Sequence, residues 1–423
     1  MDAEIGLIRA AAEAAVGEAA VRRSGGQAGG EVAVGEAAVR RSGGRAVGAA
    51  ATDSLVSLIA RRPDWDRVQS LAEFHGTIPL LRQPLSQLPE SLVPASVQQA
   101  LADRCRGIAA RNLLLTRRLT EACAALEQAG IRVLAIKGPT LAMLAYGDLS
   151  ARQFNDIDLL VSPADSGRAL ETLRRLGYQF AYRITPSQQA RYSRAMGQVP
   201  LRDAQGTLLE LHTKLTDAAY HFPLDFEAVW SRRQPVVLHE HTLSTLGNED
   251  LLLYLAVHGT KHGWTCLGWV VDLVQIVARN PGIDWPHLLE RATVLRCRRI
   301  LLLSLELARD TLGLELPEGL AGAISADRVA RRLAAERSRR LLGTHVPESA
   351  FGIARFHLRS RERLYHGIAF VWATIFSAHL SDWQAINLPA GWEFLYPIVR
   401  PLRLVLKYLQ RRKPGVLSAH GRP

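Results

Sequence analysis

Cysteine is scarce in this chain of 423 residues, which holds only Cys105, Cys123, Cys266 and Cys297. None forms a Cys-x-x-Cys pair, which excludes a zinc ribbon and a disulfide framework and fits a reducing, cytoplasmic setting. Lysine is scarce beside arginine, and acids fall short of bases, leaving a formal charge of +12 and a pI near 10.0. That deficit of acid points toward polyanionic partners: nucleotides, RNA or an anionic membrane surface. Arginine is also the better bidentate phosphate ligand. Long apolar runs are missing too. The stretch 364–381 has no formal charge and reaches spanning length, but it contains His366, Thr374, His379 and two serines, and Asp382 follows at once. It reads as a buried helix, so no integral membrane span is expected. The N-terminus lacks a basic head followed by an apolar stretch and does not read as a signal peptide.

What is present is ordinary for a soluble globular protein: 48% hydrophobic and 22% charged residues. The length suggests two or three domains of roughly 150 residues each. Residues 1–50 are rich in Ala, Gly and Arg. Within them the segment Ala15 to Gly26 returns unchanged as Ala33 to Gly44. Two glycine-punctuated copies cannot stack into a solenoid, so this extension is expected to be disordered. Residues 51–130 follow as a helical region, with Ser96 to Gln128 one long periodic stretch closed by Gly130.

The rhythm changes at Ile131. Ile131–Ile136 reads as a short buried strand, Lys137-Gly138-Pro139 follows, and Pro139 to Tyr146 opens a helix with proline in its first turn. A second strand carries Asp156 and Asp158. A helix over 163–176 and a strand over 178–182 come next. A hairpin then turns at Asp203-Ala204-Gln205-Gly206 into the strand Thr207–His212. Residues 131–235 thus form an α/β core, 236–345 a helical region, and 346–423 a C-terminal helical region with a basic amphipathic tail. The expected class is α+β: a small mixed sheet embedded in helical N- and C-terminal regions.

The chemistry gathers in the core. Asp156 and Asp158 are two residues apart, so on a strand both carboxylates share one face, roughly 6–7 Å apart. Carboxylates aimed the same way raise each other's pKa unless a cation sits between them. Hard cations such as Mg²⁺ take oxygen ligands, so the pair reads as a metal clamp, with a solvated strand end as the bland alternative. Glu210 and His212 share a face of the later strand. A third carboxylate there is what a two-metal site uses to activate an acceptor hydroxyl, and His212 can orient it or contact substrate. Lys137 can supply a point charge to phosphate. Gly138 lets backbone N–H groups approach phosphate oxygens at a helix N-terminus. Arg152 reads equally as a phosphate ligand or as half of a structural ion pair.

The stretch Val133-Leu134-Ala135-Ile136-Lys137-Gly138, then Tyr146-Gly147-Asp148, Arg152, Asp156-Ile157-Asp158-Leu159-Leu160-Val161 and Glu210-Leu211-His212, resembles the bacterial uncharacterised nucleotidyltransferase family. That family is a branch of the DNA polymerase β-like superfamily, often encoded near natural-product and lasso peptide gene clusters. Leu71 to Gly76, His258 to Trp264, Leu267 to Leu273 and Arg400 to Leu404 are similar to its flanking helical motifs. The resemblance implies Mg²⁺ (or Mn²⁺) on Asp156, Asp158 and Glu210, an NTP substrate held near Lys137, Gly138 and Arg152, and NMP transfer. The acceptor would be a ribosomal peptide, a small metabolite, a protein or RNA. The wider superfamily sets a Gly-Ser pair about a dozen residues before the aspartates. Here Gly138 precedes Pro139 and lies 18 residues before Asp156, so Lys137 stands in for the serine contact.

Downstream, His258 and His262 lie four apart on one helical face. They read as core histidines or, with Lys261, as the acceptor side of the cleft. Asp272 interrupts an apolar helix and needs a partner, for which a histidine of the preceding helix is the candidate. The rival functional class is a non-catalytic module of the same fold that holds RNA or a precursor peptide.

Overall fold

The computed structural model describes residues 2–26, 53–216, 222–343, 348–376, 380–386, 388 and 392–411. The N-terminal helices are α1 (Ala3–Gly26), α2 (53–59), α3 (Trp65–Phe74), α4 (Ile78–Leu85) and the long α5 (Ala95–Gln128). The α/β core then runs β1 (Val133–Ala135), α6 (Pro139–Tyr146), β2 (Asp156–Val161), α7 (Ser166–Arg175), β3 (Gln179–Phe180), α8 (Pro186–Met196), β4 (Gln198–Arg202) and β5 (Leu208–His212). After α9 (Phe226–Ser231) comes a hairpin of β6 (Gln234–Leu238) and β7 (His241–Thr245). The helices α10 (Asn248–Lys261), α11 (Leu267–Arg279), α12 (Trp285–Val294), α13 (Arg298–Leu312), α14 (Glu318–Ala326) and α15 (Arg328–Leu341) follow. The C-terminal region holds α16 (Ala350–Ser360), α17 (Leu364–Phe376), α18 (Leu380–Ala385) and α19 (Tyr396–Arg411).

The fold is α+β, with a small mixed sheet ordered β1-β2-β5-β4-β3. Only β2 and β5 run parallel; the other neighbours are antiparallel. Alternation along β2 sends Ile157, Leu159 and Val161 to one face. There they pack with Leu209 and Leu211 of β5 beneath Leu115, Leu119 and Leu126 of α5 and Leu173 of α7. Leu160 points the other way, into the larger core formed by the N-terminal helices, α10, α11 and α13. Asp156 and Asp158 share that second direction.

Three expectations are corrected. The N-terminal extension is not wholly without structure: Ile5, Leu7, Ile8 and Ala10 to Ala12 of α1 are buried in the main core. Helix α1 packs against α3, α4 and α11, the Asp64 backbone N–H donates to Glu4 Oε1 at 3.1 Å, and the Gln275 amide donates to Ala15 O at 3.2 Å. The physical reason is that alanine is the best helix former and its small side chain admits close approach, so a few large residues suffice to anchor the helix. The second copy of the duplication lies outside the described residues. Next, the region 236–345 is not purely helical, because β6 and β7 straddle its boundary and turn at His239, whose φ is +54°. That hairpin pairs outside the main sheet, and β7 docks on β1 through a Thr245 hydroxyl donated to Ala135 O. Finally, the uncharged stretch from 364 is not wholly buried: on α17, Tyr365, Ile368 and Trp372 face outward rather than into a core. Among the described residues no helix is long and apolar enough to cross a membrane.

Candidate active site

Parallel pairing of β2 with β5 sets Asp158 directly beside Glu210. Two residues on, His212 points to the same face as Glu210, and its Nε2 donates to Asp158 Oδ1 at 3.0 Å. The same nitrogen lies 3.4 Å from Glu210 Oε2. Lys137 leaves the end of β1 and brings Nζ to 3.1 Å from Asp158 Oδ2. A backbone bond from Ile136 N to Asp158 O, 3.1 Å, ties the two strand ends together at this point. Glycine at 138 is required, because its φ of +61° with ψ −124° is a backbone conformation that side chains rarely adopt. A Cβ there would also sit 3.3 Å from the Asp156 carbonyl oxygen.

Burial and charge set the protonation states. Burial disfavours ionisation of Asp158, but Lys137 and His212 reverse this and hold it well below the usual carboxylate range. Asp156 has no such direct partner; burial and the Asp158 charge push it up to about 6. Burial opposes charge on His212, yet hydrogen bonds to Asp158 and Glu210 raise it to about 9, so it is an imidazolium at neutral pH. Lys137 likewise stays charged despite burial, with Asp158 as the main reason. Without a metal, a lysine and an imidazolium therefore balance the buried carboxylates.

The donor set suits a divalent cation. Asp158 and Glu210 each offer a carboxylate oxygen, and His212 a ring nitrogen once its proton is lost, all within 4.8 Å of one another. Asp158 Oδ2 is buried and makes no hydrogen bond, although Lys137 is close enough for an ion pair. Asp156, expected as a metal ligand, is not one of these three converging groups. It stands two residues before Asp158 on the shared face, close enough to be coupled to it electrostatically. His212, expected to orient or contact substrate, is instead inside the cluster.

Helix α10 lies beside the cluster. The Tyr254 ring lies 5.9 Å from Lys137 Nζ and 5.9 Å from the His258 ring. His258 and His262 rings are 4.7 Å apart, and both rest on Trp269 at 5.6 and 5.3 Å. Burial, then the charge on Lys137, drives the His258 pKa well below its ordinary value, so His258 is neutral. Lys261 is half-buried in the last turn of the same helix. Sequence reasoning missed Tyr254; the signal was its position four residues before His258 on one helical face.

Arg152 is committed elsewhere. Its Nε lies 3.0 Å from both oxygens of Asp272, and Tyr146 donates its hydroxyl to the same carboxylate at 2.8 Å. The partner of Asp272 is thus an arginine and a tyrosine, not a histidine. A chain of constraint continues outward, since Asn112 Nδ2 donates to Leu149 O and Arg152 O at 2.6 and 2.7 Å. Asn112 Oδ1 stays buried and without a hydrogen bond. Asn112 also lines a cavity of about 380 Å³ beside the start of β2, with Arg104, Arg111, Gln153 and Asn155. Arg111 donates to Asn155 Oδ1 at 2.9 Å there.

A small mixed sheet with a clustered acidic site on adjacent parallel strands, backed by a glycine-led helix, defines a nucleotidyltransferase-like core. The sequence pattern of the family described as uncharacterised nucleotidyltransferase matches residues 61–313, more than half of the chain, and the chain belongs to that family. Among solved structures, an antigenic nucleotidyltransferase-like protein from Paracoccidioides brasiliensis is similar at 13% identity with a TM-score of 0.27, over 48% of this chain and 93% of that one. No curated protein matches.

Proposed function

We propose that this chain is a divalent-metal-dependent nucleotidyltransferase that moves NMP from an NTP to a hydroxyl or amine acceptor. The observation that carries the reading is the convergence of Asp158, Glu210 and His212 within 4.8 Å, with Lys137 at Asp158 and Asp156 on the same face. Asp158 and Glu210, with Asp156 alongside, would hold Mg²⁺ or Mn²⁺, which would supply charge neutralisation for the triphosphate and polarisation of the reacting phosphoryl group.

The side chains do the rest. Lys137 keeps ammonium donors beyond its ion pair and offers them to the phosphates. Gly138 brings the start of α6 close to them, although Pro139 removes one N–H from that helix end. His212 fixes the rotamer of Asp158 through Nε2. Glu210, the most accessible member of the cluster, accepts the acceptor's proton as the new bond to the α-phosphorus forms. The bond from the α-phosphorus to the bridging oxygen breaks, and pyrophosphate leaves. Tyr254, His258, Lys261 and His262 line the side from which an acceptor approaches. The cavity at Asn155 is large enough to seat part of either substrate. Arg152 acts through Asp272 and holds the loop that leads into β2.

The test is NMP transfer from labelled NTPs with Mg²⁺, comparing the parent with Asp156→Ala and Asp158→Ala. Transfer that survives both substitutions overturns the mechanism. One observation favours the rival binding module: Lys137 and His212 already neutralise Asp158 without a metal. Titration with Mn²⁺ and ATP separates the two readings, because a ligand of the folded state raises the melting midpoint. No shift with either, alone or together, selects the non-catalytic module.

A further inference from the structure

The C-terminal region carries an apolar surface that the catalytic reading does not use. Among the described residues, thirteen large apolar side chains between 351 and 406 stand exposed, against seven in all the rest. They fall at helical spacing. On α17, Tyr365, Ile368 and Trp372 make one outward stripe. On α19, Ile398, Leu402, Val405 and Leu406 make another, with Leu402 62% and Val405 56% exposed. The two helices pack against each other. Phe351, Trp392 and Phe394 add exposed aromatic rings in the same region. On α19, Arg400 and Arg403 turn inward to the buried Asp382, while Leu402, Leu404 and Leu406 turn outward.

Charge decides what covers this face. Residues 348–423 contain eleven Arg and Lys against four Asp and Glu, a net +7 out of the whole chain's +12. Of the four acids, Asp382 is covered by Arg400 and Arg403, Glu348 is held by Arg337, and Glu362 accepts the Arg299 backbone N–H. An outward face of Trp, Tyr, Phe, Leu and Val set in basic chain is the composition that partitions into an anionic lipid surface. Among the described residues no helix is long and apolar enough to span a membrane, and the 13 residues of α17 cover about 20 Å. We propose that the outward faces of α17 and α19 form an interfacial binding site for anionic phospholipid, with the helices lying in the membrane plane. The site lies beyond the matched family region, which ends at residue 313, so it is independent of the catalytic reading.

The test uses the full chain and two sets of vesicles, one of pure phosphatidylcholine and one of three parts phosphatidylcholine to one part phosphatidylserine. Flotation with the anionic vesicles is expected at about 0.1 M salt, with a remainder at about 0.5 M because apolar insertion is not screened. The variant Trp372→Ser/Leu402→Ser/Val405→Ser is expected to lose about tenfold or more of that binding. Those side chains are exposed, so its melting midpoint should match the parent and certify the fold; a second variant, Ile368→Ser/Ile398→Ser/Leu406→Ser, serves if the first melts early. Three results overturn the proposal. One is no flotation of the parent. Another is flotation unchanged in a folded variant. The third is a parent dimer, broken by the same substitutions and absent from vesicles, which makes the face a contact between two copies of this chain.

Discussion

Replacing Arg152 with Met separates its two roles cleanly. Asp272 is 2% exposed and is satisfied by Arg152 and the Tyr146 hydroxyl. Removing the guanidinium leaves a buried carboxylate with one neutral donor. Breaking a buried pair from one side costs about 3–5 kcal/mol, mostly because the remaining charge is uncompensated. At roughly 2–4 °C per kcal/mol the melting midpoint should fall by about 6–20 °C. Arg152→Met/Asp272→Asn removes the orphan charge as well and should recover more than half of that loss, so the double-mutant cycle shows strong coupling. Melting curves with and without Mn²⁺ and ATP read both stability and ligand binding on the same samples. If Arg152→Met melts within about a degree of the parent but loses the ligand-induced shift, Arg152 is a phosphate ligand and the ion-pair assignment fails.

The metal-free stability of Asp156→Asn should depend on pH. The folded-state pKa of Asp156 is raised to about 6, so its ionisation destabilises the fold as pH climbs from the ordinary carboxylate value to that point. The variant should melt with the parent near pH 4 and above it from about pH 7 upward, while losing the Mn²⁺-induced shift; equal melting across the range refutes the charge argument. Deleting residues 1–26 should lower stability by at least about 5 kcal/mol, because Ile5, Leu7 and Ile8 are fully buried, and urea unfolding measures it. A truncation as stable as the full chain would show that α1 is not part of the core. Gly259→Ala would place a Cβ 2.5 Å from the buried Trp264 ring, at a cost of about 1–3 kcal/mol read by thermal melting; an unshifted midpoint would mean that the indole moves aside freely.

Much of the candidate site was legible because its signals are local. Period-two alternation aims Asp156 and Asp158 together, and the Lys137-Gly138-Pro139 turn marks the passage from strand to helix. Glu210 and His212 announce a shared face in the same way. These patterns are dictated by backbone geometry within a few residues. Pairing is not local. Only the parallel register of β2 on β5 places Glu210 beside Asp158 and carries His212 into the cluster in a place expected for Asp156. Arg152 illustrates the same limit: it was compatible with phosphate and with an ion pair, and a helix 120 residues later decided for Asp272. The N-terminal segment misled for a related reason. Its alanines and glycines are poor at burying area by themselves, and only the groove offered by α3, α4 and α11 gives Ile5, Leu7 and Ile8 something to bury against. On α19 the amphipathic pattern was visible and on α17 the uncharged run, but neither says whether the apolar side meets protein. Composition and spacing determine what each segment is able to bury or bind. Which neighbour arrives to accept it is settled by long-range packing, whose favourable contacts form only when the whole chain closes.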